Sequence, residues 1–91
     1  MAMKYEVLVE VSLREGIADP QGATIERSLP ALGFESIESV RVGKAIRFRI
    51  QADDASSAKS TVQQVCERLL ANPVIEDTAI TITEATTGDA K

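Results

Sequence analysis

The chain has 91 residues, room for one domain, and Tyr5, Phe34 and Phe48 are its only aromatics, so its core must be built from Val, Ile, Leu and Ala. A formal net charge of −4 argues against a general nucleic-acid binder, because neutralising phosphates needs net local basicity. The absence of His removes the usual Ser–His and Cys–His pairs and the commonest metal ligand, and a single cysteine, Cys66, excludes an internal disulfide.

Residues 4–13, "KYEVLVEVSL", alternate in polarity. Tyr5, Val7, Val9, Val11 and Leu13 share one face of a half-buried strand, and Leu8 interrupts the polar one. After the loop "REGIADPQG", Asp19 suits a helix N-cap and Pro20 the first helical position. Ile25, Leu29 and Leu32 then recur at i, i+4 and i+7, which predicts a core-facing stripe. Pro30 deletes a hydrogen bond to the Glu26 carbonyl and loosens the last turn, and Gly33 reads as a left-handed cap with Phe34 packing behind it.

The basic stretch "VRVGKAIRFRI", residues 40–50, reads as two strands around Gly43-Lys44. It lacks the Gly-rich run and following helix of a phosphate-binding loop. A two-residue turn there sets Val40 and Val42 on the face of Arg47, and Ile46, Phe48 and Ile50 on the other. Two arrangements resolve the mismatch: a bulge or three-residue loop near Gly43, or a hairpin buried on both faces with a second subunit on one of them.

A second helix opens at Asp53 or Asp54, carries Val62, Val65, Cys66, Leu69 and Leu70 as a stripe, and stops at Asn72-Pro73. Residues 74–84 form a last strand with Ile80 and Ile82 on one face, and residues 85–91 a frayed tail. The order β-α-β-β-α-β across residues 1–84 predicts one α+β domain related to the ferredoxin-like arrangement: a four-stranded antiparallel sheet with both helices on one face. A bare second face invites dimerisation.

Nothing assembles into catalysis. Glu76 and Asp77 point to opposite faces of a strand, Asp53-Asp54 reads as a cap, and Ser56, Ser57, Ser60 and Thr61 have no base nearby. No catalytic or metal-binding residue is expected. No apolar run approaches the roughly 20 residues that span a bilayer. "MAMKYEV" lacks a signal peptide's apolar stretch, so a cytoplasmic protein without membrane or nucleic-acid contact is expected.

Three segments together, "VSLREGIADPQGATIERSLPALGF", "SIESVRVGKAIRFRIQADD" and "VCERLLANPVIEDTAITI", resemble the PurS subunit of phosphoribosylformylglycinamidine synthase, the amidotransferase of purine biosynthesis. The resemblance runs over residues 4–84, with Pro30 as a departure. It implies a non-catalytic homo-oligomeric subunit. Such a subunit bridges the synthetase chain (PurL), which uses ATP and Mg2+, and the glutaminase chain (PurQ), and supports ammonia transfer between them. It implies no cofactor on this chain. Asp19, Gln21, Gly22, Arg41, Gly43, Lys44, Asn72, Pro73 and Glu76 become assembly or interface candidates, alongside Pro20. The rival reading is a ferredoxin-like regulatory domain that binds a small ligand at a dimer interface.

Overall fold

The computed structural model describes residues 2–85. Strand β1 (Met3–Leu13) is followed by helix α1 (Pro20–Ser28) and a short 3-10 turn, Pro30–Leu32. Strand β2 (Gly43–Ala52), helix α2 (Ala55–Val65), a π turn over Cys66–Leu70 and strand β3 (Glu76–Glu84) complete the order. The sheet is three-stranded, β2-β1-β3, with both outer strands antiparallel to β1.

This corrects the expected four-stranded sheet. Residues 37–42 form no strand. The N–H of Val40 donates to Glu26 Oε1 at 3.0 Å and that of Val42 to Asp19 Oδ2 at 2.8 Å. Two carboxylates thus take the donors that a strand would offer a neighbour, and the segment runs as a connector. Neither hairpin arrangement is needed. β2 pairs directly with β1, Val7 opposite Phe48 and Val9 opposite Ile46, so the apolar sets agree without a bulge.

The core lies on one face of the sheet. Val7, Val9 and Val11 from β1 close against Val62 and Cys66, with Ile46, Phe48, Ile50, Ile80 and Ile82 packed around them. The stripe expected on α2 is partly realised: Val62 and Cys66 are buried, whereas the π turn swings Leu69 out to 79% exposure. Asp54 caps α2, its Oδ1 accepting from the Ser57 N–H at 2.7 Å.

The two helices do not share the sheet face as expected. α2 covers it, but Ile25, Leu32 and Phe34 of the first helical region are 46%, 69% and 54% exposed. The local sequence signals there hold: Asp19 is the N-cap, Pro20 leads the helix, and Gly33 takes φ 95° with its N–H on the Pro30 carbonyl. Pro30 breaks the α-helix into the 3-10 turn. The radius of gyration, 17.2 Å, exceeds the roughly 12 Å of a compact domain of this length. Ala85 extends the ladder by donating its N–H to the Lys4 carbonyl at 3.0 Å, and residues 86–91 of the expected tail lie outside the described residues.

Because the core is thin, its single contacts weigh heavily. Val62→Ala removes two methyls from a fully buried site and lowers stability by about 1–3 kcal/mol in urea unfolding. Leu69→Ala, on the same helical stripe by sequence, changes it by less than about 0.5 kcal/mol.

Candidate functional site

The loop after β1 and the start of β2 meet at one carboxylate. Asp19 Oδ1 accepts from the Gly22 N–H at 2.9 Å, capping α1, and Oδ2 accepts from the Val42 N–H at 2.8 Å. Arg41 Nε lies 3.8 Å from Oδ2. The side chain is 8% exposed, and these N–H groups, with the Arg41 charge behind them, hold its carboxyl below the ordinary range.

Gly22 is buried because the connector crosses it. A Cβ there would meet the Val40 carbonyl oxygen at 2.5 Å and Asp19 Oδ2 at 2.7 Å. Gly43 is held in a similar way, since a Cβ there would meet the Val11 carbonyl oxygen at 2.6 Å. Ser39, at φ 62°, turns the connector toward this crossing. Arg41 spends its guanidinium within its own chain, Nη2 donating to the Leu13 carbonyl at 3.0 Å and the Arg14 carbonyl at 3.4 Å.

A second cluster sits after α2. Asn72 Oδ1 accepts from the Val74 N–H at 3.1 Å, and Glu76 Oε1 accepts from the Asn72 N–H at 2.7 Å. Arg14 joins the two clusters: Nη2 donates to the Pro73 carbonyl at 2.7 Å, its backbone N–H to the Ile75 carbonyl at 2.8 Å, and Nε lies 3.4 Å from Asp77.

The sequence candidates therefore converge on one end of the sheet, and they divide there. Asp19, Gln21, Gly43, Lys44 and Glu76 line an open cleft of about 340 Å³ between the start of α1 and the ends of the strands. Gly22, Arg41, Asn72 and Pro73 build the turns behind it. Two contributors were absent from the sequence candidates. Glu26 looks like any exposed helical acid until the connector reaches it, and Arg14 looks like loop charge until β3 arrives.

The cleft carries no nucleophile with a base. Burial pushes the Cys66 thiol up, with Glu67 adding to the effect, so that thiol stays protonated. Among the described residues no three Cys, Asp or Glu side chains gather as a metal site, and no helix is long and apolar enough to cross a membrane.

The chain is thus a small antiparallel α+β module whose polar residues hold turns and line a cleft at one end of its sheet. Residues 6–84 match the family described as PurS, phosphoribosylformylglycinamidine (FGAM) synthase. The PurS subunit of Mycobacterium leprae is 46% identical over 74 residues, covering 81% of this chain and 90% of that one. The crystal structure of the Thermotoga maritima purS subunit superposes with a TM-score of 0.83 at 30% identity, covering 91% of this chain and 95% of that one. A chain in the structure of PurLQS from Thermotoga maritima gives 0.81 at 31% identity, with 88% and 98% covered. The chain belongs to the PurS family of FGAM synthase subunits.

Two outcomes test the junction. Gly22→Ala forces the connector off α1 and costs about 1–3 kcal/mol, read from urea unfolding. Asp19 and Asp54 both titrate lower in the folded chain than the ordinary value near 3.9. Their stabilisation is present above that value and is lost as pH falls through the depressed folded values. The urea midpoint is expected to hold from pH 7 to 5 and to fall below about pH 4. Asp19→Asn lowers the midpoint at neutral pH and flattens the acid decline.

Proposed function

We propose that this chain is the non-catalytic assembly subunit of FGAM synthase in purine biosynthesis. It holds the ATP-dependent synthetase subunit and the glutaminase subunit together and supports ammonia transfer between them. The observation that carries this reading is the match, over nearly its whole length, to a chain of the Thermotoga maritima PurLQS structure. ATP and Mg2+ belong to the synthetase subunit in this reading, and this chain binds no cofactor. The cytoplasm, where such a biosynthetic complex works, is the proposed location.

The chain acts as a homo-oligomer. The apolar residues of α1 and its 3-10 turn, open to solvent in one copy, support this. The nine candidates take two roles. Gln21, Lys44 and Glu76, which line the cleft, meet partner chains. Asp19, Gly22, Arg41, Gly43, Asn72 and Pro73 hold the cleft in shape.

The division is testable. Lys44→Glu leaves unfolding stability within about 0.5 kcal/mol and weakens capture of the synthetase and glutaminase subunits at least tenfold in co-purification with glutamine and ADP present. Arg41→Glu instead lowers stability, because its acceptors are carbonyls of its own chain. Wild-type chain that retains neither subunit on the column contradicts the assembly role. Saturable heat from an amino acid or nucleotide added to the isolated chain favours the regulatory-domain reading.

A further inference from the structure

Leu8 interrupts the polar alternation of β1, and the fold gives that interruption a setting. It is the one large apolar side chain on the sheet face turned away from α2. In the register Leu8 lies between Arg47 of β2 and Thr81 of β3, and in the next row Glu6 lies between Arg49 and Thr83. These side chains line an open hollow of about 280 Å³ over the half-buried Leu8 and Glu6. Among the described residues nothing covers it: Arg47, Arg49, Thr81 and Thr83 are all exposed.

The charge of the hollow is unlike that of the chain. Two arginines and one glutamate line it, on a chain of net charge −4. Glu6 is spent on Arg49, whose Nη2 lies 3.3 Å from its Oε2. Arg47 has no ion pair among the described residues. Glu10, the other acid of β1 on this face, stands one row away between Ala45 and Ala79. Arg47 thus presents a planar fork of donors beside an aliphatic floor, with threonine hydroxyls across from it. Arginine beside an apolar floor is the composition that anchors protein contacts.

We propose that this face takes an acidic segment of a partner chain, an aspartate or glutamate beside an aliphatic residue. The carboxylate meets Arg47 as a bidentate pair, and the aliphatic side chain covers Leu8. The hollow is smaller than the roughly 300–1,000 Å³ of small-molecule pockets, and its open side suits the side chains of a passing segment. A second copy is a poor occupant. Hollow set on hollow about a two-fold axis brings the arginine pairs of both copies together against one glutamate from each. Lys44, in the cleft, lies opposite Val11 on the other face of the sheet. The chain therefore offers partners two surfaces on opposite sides, the arrangement that bridging two subunits needs.

This contact rests on the assembly role proposed above, and the test separates the two. The full chain is co-purified with the synthetase and glutaminase subunits in the presence of glutamine and ADP. Arg47→Glu is expected to weaken capture about tenfold or more while leaving the urea midpoint of the isolated chain unchanged. Leu8→Thr, which keeps a β-branched residue in the strand, is expected to weaken capture as well. Arg47→Lys, which keeps the charge and loses the fork, is expected to fall between wild type and Arg47→Glu. A wild-type chain that retains neither subunit overturns the assembly role and this contact with it. Wild-type capture that Arg47→Glu and Leu8→Thr both leave unchanged overturns the sheet-face contact alone. So does unchanged capture with a lowered mass of the isolated Arg47→Glu chain in sedimentation, which hands the face to a second copy.

Discussion

β1 is the one strand with a neighbour on each side, and the fold depends on its alternation. Its odd-numbered residues, Tyr5 through Val11, are buried, and each lies beside a residue of β2 and one of β3. With so few aromatics, the stabilising area comes from small branched side chains stacked in these rows under one helix. That arrangement covers a single sheet face, and among the described residues no further strand pairs with either outer edge, while Ile25, Leu32 and Phe34 stay exposed.

The second constraint is how backbone donors are satisfied between β1 and β2. The connector at 35–42 gives two N–H groups to carboxylates on the α1 side, Glu26 and Asp19, and Arg41 returns its guanidinium to carbonyls at the end of β1. These bonds tie the start of α1 to the end of the sheet while its far end stays open. The cleft beside Lys44 and Gln21 exists because this tie stops short of closing it.

Much of this was legible in the sequence. The alternation of β1, the Asp19-Pro20 helix start, the Gly33 cap and the break at Pro30 are local chemistry, and local chemistry reads well from residues. The fourth strand was misread because "SVRV" has strand composition, while its hydrogen-bond partners are side chains distant in sequence. The α1 stripe was misread for a related reason. An amphipathic period says that a face needs burial and not whether the same copy supplies it. The candidate residues named by the motifs gather at one end of the sheet. Their split into Lys44 and Gln21 at the cleft and Gly22 and Arg41 behind it needed the crossing of chain segments that no spacing encodes.

In the complex this chain is proposed to serve, a small subunit contributes surfaces. Its chemistry is backbone pairing, caps and charge placement. The central claim is the proposed contact between the cleft and partner subunits, and amide hydrogen exchange on the chain alone and with the synthetase and glutaminase subunits tests it most directly. The account predicts slower exchange at the N–H groups of Gln21 and Gly43, which line the cleft, in the complex than in the chain alone. Equal exchange at both groups in the two states would contradict it.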